Sequence, residues 1–271
     1  MRKKMLVLLA TFMMVAAMGI PVMGDELAVK GRDILVQNQD AVIHLKVTIK
    51  QGVSYSGKDT EKNETSIETL GTVLRPDGLT LVSLSEIDPS SRIEAMMKMS
   101  SDEDGANFKY TSEITDAKYV LPDGKEIQAK VILRDKDLDL AFILPTAKVE
   151  KPFSFIDLTK AVDPLVMDPI YIVSRLGKSA NRTPWITDGR VMTIIQKPQK
   201  YFFVSSTMGQ GNPVFTSDGK VIGITLIRQT NSDGGSDGMQ RMDITSMMPL
   251  VLPAADIVSA MEQIADKPAK K

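Results

Sequence analysis

One stretch in the C-terminal half of the chain decides the fold: Met208-Gly209-Gln210-Gly211-Asn212-Pro213-Val214-Phe215. Glycines bracket Gln210, which indicates a bent loop, because glycine adopts backbone conformations that other residues avoid. The Val-Phe pair leads through the turn signal Ser217-Asp218-Gly219 into the apolar run 221–227. A strand, a tight turn and a second strand predict a β-hairpin that follows a shaped loop.

Short strands separated by turns dominate the rest of the chain. In 41–49, Ile43, Leu45 and Val47 alternate with His44 and Lys46, so one strand face is apolar and the other polar. Similar apolar or β-branched runs are 72–74, 79–84, 129–133, 140–144, 170–173, 191–195 and 201–204, with Pro-Asp-Gly turns at 76–78 and 122–124. This pattern indicates a barrel or a sandwich rather than alternating strands and helices.

Three segments depart from the strand pattern. The Met-rich segment 93–99 predicts a short helix before a polar loop, and 147–163 predicts a link between two strand-rich halves. At the end of the chain, residues 253–264 place Ile257, Val258, Met261 and Ile264 on one helical face. A C-terminal helix is therefore expected there.

The first 24 residues have the pattern of an export signal. Arg2, Lys3 and Lys4 precede the uncharged apolar run 6–20, and Val22-Met23-Gly24 resembles a cleavage site. The run is shorter than the roughly 17 residues of a short membrane span. Membrane attachment is therefore expected only through an uncleaved signal, and the protein is expected in the periplasm or outside the cell. The chain has no cysteine, so neither a lipoprotein anchor nor a disulfide framework is expected.

Charge and residue content exclude several classes of function. Without residues 1–24, the chain carries 30 positive and 34 negative charges, a net charge of −4. No basic excess is left to hold phosphates, so nucleic acid is not an expected partner. A single histidine, His44, and no cysteine cannot form a cysteine-protease site or a His-rich zinc site. The polar stretches 102–104 and 231–238 lack the EF-hand spacing, and we predict neither a metal nor a cofactor.

Several segments, in the right order, resemble the protease domain of HtrA-type (Deg) trypsin-like serine proteases. The matching segments are 70–85 (Leu-Gly-Thr-Val-Leu-Arg-Pro-Asp-Gly-Leu-Thr-Leu-Val-Ser-Leu-Ser), 123–131 with 135–141, 187–191, 209–215 with 218–224, and 253–264. The resemblance covers roughly residues 37 to 265. It implies an all-β fold of two antiparallel β-barrels with a C-terminal helix, in which a catalytic triad lies between the barrels.

The resemblance also implies a division of the chain. The signal peptide would occupy 1–24 and an N-terminal segment 25–36. The first β-barrel would span 37–150, and the second β-barrel with the closing helix 151–265. A polar tail, 266–271, would follow, with no PDZ domain.

The resemblance places unusual residues at the catalytic positions. Ser85 stands where the family has its general-base His, and Gln210 stands where it has the nucleophilic Ser. Asp139 stands where the family has its orienting Asp. Asp139 is interpreted as structural, because a carboxylate at a strand start can accept backbone N–H groups.

The oxyanion loop departs from the family pattern in a similar way. Met208 and Asn212 stand where the family has glycine, whereas Gly209 and Gly211 keep some of the flexibility of the loop. The loop resembles the remnant of an oxyanion hole, in which backbone N–H groups stabilise negative charge.

The resulting prediction is an exported pseudoprotease that acts by binding a polypeptide or protein partner. Two alternatives stay open: a weakly active serine endopeptidase with a rebuilt site, and a structural component of the cell envelope. Ser205 and Ser206 are interpreted as strand-end residues without a base, and association with further copies of the chain is also left open.

Overall fold

The computed structural model describes residues 26–55, 58–90, 93, 108–206, 209–227 and 249–265. The predicted signal peptide, the polar tail, the stretches 102–104 and 231–238, and Met208 lie outside these residues. Of the predicted Met-rich helix, only Ile93 is inside them. No helix within the described ranges is long and apolar enough to cross a membrane.

Six antiparallel strands close the first barrel. The chain enters it through helix α1 (Glu26–Asn38) and a single 3-10 turn, Gln39–Ala41. The strands are β1 (Val42–Tyr55), β2 (Lys58–Val73), β3 (Thr80–Ser83), β4 (Phe108–Val120), β5 (Glu126–Asp135) and β6 (Leu140–Pro145). They neighbour one another in the order β1-β2-β3-β6-β5-β4, and β4 pairs with β1 to close the barrel. A short helix, α2 (Leu84–Ile87), follows β3 directly.

The second barrel repeats this strand order. Its strands are β7 (Pro169–Arg175), β8 (Pro184–Ile195), β9 (Tyr201–Val204), β10 (Pro213–Thr216), β11 (Val221–Ile227) and β12 (Pro249–Pro253). They run in the order β7-β8-β9-β12-β11-β10, and β10 pairs with β7. Helix α3 (Ala254–Ala265) closes the fold. The predicted all-β double barrel with a C-terminal helix is thereby confirmed.

Some elements are longer than predicted or were not predicted. Strand β2 begins at Lys58, whereas the predicted strand covered only 72–74. The first half of β2 pairs with β1 through backbone hydrogen bonds, although its residues 62–66 are exposed and polar. Such a strand has no apolar face for a period-two pattern to reveal. Strand β4 was not predicted for a different reason: Ala117 and Tyr119 are buried, but a register shift after Ile114 breaks the period-two pattern. For the N-terminal segment 25–36 no helix or strand was predicted; the structure has helix α1 there, whose apolar pattern is weak.

An apolar cluster holds the two barrels together. It contains Leu81 and Phe142 from the first barrel and Val173 and Leu252 from the second, all essentially inaccessible to solvent. Ile257 of helix α3 packs into the same cluster. Because this core is shared, it fixes the position of loops that face each other across the boundary between the barrels.

Polar side chains add directed contacts between the barrels. Arg175, at the end of β7, donates from Nε to Val42 O at 2.6 Å and from Nη2 to Gln39 O at 2.7 Å. Arg182 donates from Nε to Glu68 Oε1 at 2.9 Å. These bonds connect the second barrel to the start of β1 and to β2.

The structure corrects the interpretation of His44 as a residue on a polar strand face. His44 is only 5% exposed, because the second barrel covers it. Its Nε2 lies 3.0 Å from Leu176 O, and its Nδ1 lies 3.0 Å from Glu68 Oε1. Burial lowers the pKa of His44, although the carboxylate of Glu68 raises it. His44 thus belongs to the contact between the barrels.

Candidate functional site

Three loops bring Ser85, Asp139 and Gln210 together between the barrels. Ser85 lies in the helical turn α2 after β3, and Asp139 lies immediately before β6, the strand that pairs with β3. Leu84 N donates to Asp139 O at 3.0 Å, which fixes the two turns against each other. Gln210 comes from the second barrel, in the loop before β10. The Ser85 hydroxyl lies 3.1 Å from Asp139 Oδ2 and 3.5 Å from Gln210 Oε1.

The carboxyl group of Asp139 has three hydrogen-bonding partners, the backbone N–H of Ser85 and the hydroxyls of Ser83 and Ser85. Its Oδ1 accepts the backbone N–H of Ser85 at 2.8 Å, as expected for a carboxylate at a strand start, and its Oδ2 lies 2.7 Å from the Ser83 hydroxyl. The backbone of Asp139 is left-handed, with φ of 53°, a conformation that Asp and Asn tolerate better than most residues. Burial raises the pKa of the carboxyl to about 6, although these hydrogen bonds act in the opposite direction.

The amide of Gln210 spans the space between the barrels. Its Oε1 accepts from the Ser83 hydroxyl at 2.5 Å, and its Nε2 donates to Glu86 Oε1 at 2.8 Å. The carboxylate of Glu86 identifies which end of the amide is the NH₂ group, because only an N–H donor can bind a carboxylate oxygen. Gln210 is therefore bonded to two residues of the first barrel.

The loop around Gln210 depends on its two glycines. Gly209 and Gly211 have φ of 51° and 75°, and a Cβ at Gly211 would lie 2.6 Å from Leu70 O. Gly211 N donates to Thr225 O at 2.7 Å, and Gly211 O accepts from the Thr72 hydroxyl at 2.6 Å. Gly211 is thus bonded to the second barrel through its N–H group and to the first barrel through its carbonyl.

Asn212 has an unusual environment. Its backbone exchanges hydrogen bonds with Thr225, from Asn212 N to Thr225 Oγ1 at 3.1 Å and from Thr225 N to Asn212 O at 2.9 Å. Its side chain is fully buried, yet neither amide atom has a hydrogen-bond partner in the described part of the chain. A Cβ atom added at Gly209 would lie only 2.4 Å from Asn212 Nδ2, too close for a normal contact. Asn212 therefore fills space that only a glycine at 209 leaves open.

Sequence reasoning missed two residues of the site, Ser83 and Glu86. Ser83 is the last residue of the buried strand β3 and is fully inaccessible. A hydroxyl in an apolar strand is a signal in itself, because buried polar groups almost always have hydrogen-bond partners. Glu86 is exposed and follows Ser85 directly, so nothing in the sequence distinguishes it from a surface residue.

The other candidate residues lie outside this cluster. Ser205 follows strand β9, is exposed, and accepts the backbone N–H of Arg190 at 2.8 Å. A groove of about 710 Å³ on another part of the surface is lined by residues that include Val42, Gln128 and Phe153, and by none of the site residues. No group of three potential metal ligands exists among the residues that the structure describes.

Two closed antiparallel barrels with a polar cluster between them define the class of trypsin-like double-barrel domains. The sequence matches the family model described as the trypsin-like peptidase domain over residues 71–224, more than half of the chain, and the protein belongs to this family. Among solved structures, it is similar to the MamO protease domain from Magnetospirillum magneticum in its apo form. That similarity has 13% sequence identity and a TM-score of 0.49, and covers 83% of this chain and 97% of that one. A comparison with curated proteins finds no match.

Proposed function

We propose that this protein is an exported trypsin-like domain that binds extended polypeptide and does not hydrolyse peptide bonds through a serine nucleophile. The observation that carries the proposal is the bonding of Gln210, which stands at the family's nucleophile position. Its amide is bonded to Ser83 and Glu86. An amide nitrogen is a poor nucleophile and forms no stable acyl-enzyme, so Gln210 cannot replace an activated serine.

The proposal gains support from the position of the general base. Ser85 stands there, and a serine hydroxyl does not accept a proton near neutral pH. The carboxylate of Asp139 binds two hydroxyls and a backbone N–H group. In triad enzymes, loss of nucleophile and base lowers the rate by about 10⁶-fold. His44, the single histidine of the chain, makes its polar contacts with Leu176 and Glu68.

Peptide binding does not require the triad. Proteins that hold an extended peptide by strand addition use main-chain hydrogen bonds for affinity and side-chain pockets for specificity. A cleft between two barrels that are fixed by a shared core can keep such contacts after its catalytic residues change. The partner that fits this chemistry is an unfolded or extended polypeptide segment.

The absence of serine chemistry is tested with a fluorophosphonate probe and labelled casein. We expect neither labelling of the protein nor cleavage of casein. Gln210→Ser alone should change little, because an unactivated hydroxyl is a weak nucleophile; Ser85→His with Gln210→Ser should recover slight activity at most. Stoichiometric labelling of the wild-type protein that disappears in Ser83→Ala or Ser205→Ala would identify a rebuilt enzyme and overturn the proposal.

Peptide binding is tested with rhodamine-labelled, reduced and carboxymethylated α-lactalbumin, an unfolded polypeptide, by fluorescence polarisation. Gln210→Trp should weaken binding at least about tenfold, because an indole at this position fills the space between the barrels. The matched control Gln128→Trp places an indole in the groove that contains none of the site residues, and should bind as the wild type does. Equal affinity of both variants would place peptide binding elsewhere.

Export is tested by N-terminal sequencing of the protein recovered from the periplasm or the medium. The pattern of residues 1–24 predicts a mature chain that begins at Asp25. A chain that begins at Met1 would contradict cleavage, and a protein retained in the cytoplasm would contradict export.

A further inference from the structure

In the polar cluster between the barrels, Ser83 makes more short oxygen–oxygen contacts than its single hydroxyl hydrogen can bridge. The Ser83 oxygen lies 2.7 Å from Asp139 Oδ2, 2.5 Å from Gln210 Oε1 and 3.0 Å from Ser85 Oγ. A serine hydroxyl has one hydrogen, whereas an ionised carboxylate oxygen and an amide oxygen only accept. With Asp139 ionised, Ser83 can therefore serve only one of its two closest neighbours.

Neither Ser85 nor a rotated Gln210 removes this conflict. The Ser85 hydroxyl lies 3.5 Å from Gln210 Oε1, a distance at which a hydrogen bond is very weak. A rotation of the Gln210 amide would present NH₂ to Ser83, but it would also turn the amide oxygen towards Glu86 Oε1, now 2.8 Å from Nε2. Two acceptor oxygens at that distance repel each other.

One additional proton on Asp139 Oδ2 resolves the conflict. The carboxyl then donates to Ser83, Ser83 donates to Gln210 Oε1, and Gln210 Nε2 donates to Glu86. Each short contact in this series of hydrogen bonds then contains one hydrogen. Chains of hydrogen bonds in which each group both donates and accepts reinforce one another.

The surroundings of Asp139 bring this protonation to a pH just below the physiological range. Burial raises the pKa of Asp139 to about 6, and the nearby carboxylate of Glu86 acts in the same direction. From the second barrel, the neutral amide of Gln210 faces the cluster. Among the residues that the structure describes, the other ionisable ones in the neighbouring turns are Asp88, Arg134, Asp135, Lys136 and Asp137.

We propose that Asp139 is a proton-operated lock that regulates access of polypeptide to the cleft. When Asp139 is protonated, the chain of hydrogen bonds ties Gln210 to the first barrel and keeps the cleft closed. When Asp139 is ionised, the hydrogen of Ser83 turns to the carboxylate, because charge-assisted hydrogen bonds are stronger than neutral ones. Gln210 Oε1 then faces an oxygen without a hydrogen and moves away. This regulation rests on the proposed peptide binding.

Asp139→Asn is a close mimic of the locked state. Asn tolerates the left-handed backbone at this position. Its Oδ1 can accept the Ser85 N–H, and its NH₂ group can donate to Ser83 as the protonated carboxyl does. Asp137→Asn is the matched control, because Asp137 lies in the same turn and is exposed.

The lock itself is tested without a ligand, by following the side-chain amide resonance of Gln210 by NMR between pH 4 and 8. We expect a transition with a midpoint near pH 6 in the wild type and in Asp137→Asn, and none near pH 6 in Asp139→Asn. A wild-type resonance that does not titrate near pH 6, or a transition near pH 6 that persists in Asp139→Asn, would overturn the lock.

The consequence for binding is tested with the labelled carboxymethylated α-lactalbumin. Competition between one proton and the polypeptide predicts about tenfold weaker binding at pH 5 than at pH 7 in the wild type and in Asp137→Asn. Asp139→Asn should bind weakly and equally at both values. An affinity of the wild type that is independent of pH would refute the regulation. If no polypeptide binds at any pH, the proposed function fails, whereas the NMR titration still decides whether the lock exists.

Discussion

At the scale of single residues, the hydroxyl of Ser83 lies at the centre of the hydrogen bonds that link the two barrels at the site. It lies within hydrogen-bond distance of Asp139 on its own barrel and of Gln210 on the other. The family resemblance locates Asp139, Ser85 and Gln210 from the sequence, because motif spacing carries over from one chain to another. It does not locate Ser83, because the hydroxyl acquires its partners only when β3, the turn before β6 and the loop before β10 meet in space.

The stability of the protein should depend on the proton of Asp139. The pKa of Asp139 is raised from 3.8 to about 6 in the fold, so the folded state binds this proton more tightly than the unfolded state. The resulting stabilisation is complete below about pH 3.8 and is lost as the pH rises through about 6. Relative to Asp139→Asn, which cannot titrate, the wild type should lose roughly 2 kcal/mol of unfolding free energy between pH 4 and 7.

Urea unfolding of both proteins at several pH values gives this difference. Asp137→Asn should follow the wild type, because its carboxylate is exposed. A difference between wild type and Asp139→Asn that is constant, or that grows in favour of the wild type with rising pH, would contradict the predicted sign.

At the level of elements, apolar alternation decides which parts of the fold can be predicted from the sequence. The first half of β1 and strands β7, β9 and β11 of the second barrel have buried apolar residues, and their patterns indicate strands. The first half of β2 is polar and exposed, and only its backbone pairing with β1 makes it a strand. Helix α1 packs through few residues, among them Gly31 and Ile34, so it leaves little amphipathic signal.

The loop before β10 should require glycine at 211 for two separate reasons. Gly211 has φ of 75°, and a Cβ there would lie 2.6 Å from Leu70 O on the first barrel. Gly124 has a similar φ of 84°, but nothing lies within 4 Å of its Cβ position. Gly124→Ala should therefore cost only the left-handed strain of about 1–2 kcal/mol.

Gly211→Ala should cost that strain and also a displacement of the loop against β2. We expect it to lower the free energy of unfolding by at least about 2 kcal/mol more than Gly124→Ala does. Chemical denaturation of the two variants measures this difference directly. Equal destabilisation would mean that the loop moves away from Leu70 without loss, and that the two barrels do not constrain each other here.

On the scale of the whole molecule, two barrels of the same strand order are joined by a shared apolar core and by a few directed polar contacts. The division into two halves follows from strand counting and family resemblance. The contacts between the halves do not, because they join residues far apart in the chain: the guanidinium of Arg175 binds backbone carbonyls more than a hundred residues away. No local pattern encodes such pairs.

Arg175 should therefore be worth far more to stability than an ordinary arginine. It is 9% exposed, donates to Val42 O, Gln39 O and Arg182 O, and reaches Asp40 Oδ1 at 3.1 Å. Arg175→Met keeps most of the volume but leaves buried carbonyls without donors, for an expected loss of about 3–5 kcal/mol.

Arg75→Met is the control, because Arg75 is 39% exposed in its side chain and binds Asp77 in its own turn, a contact worth less than about 1 kcal/mol. Calorimetry should show a lower Tm for Arg175→Met and, as the barrels uncouple, two transitions in place of one. If Arg175→Met unfolds in one transition with the stability of Arg75→Met, the apolar core alone holds the barrels together.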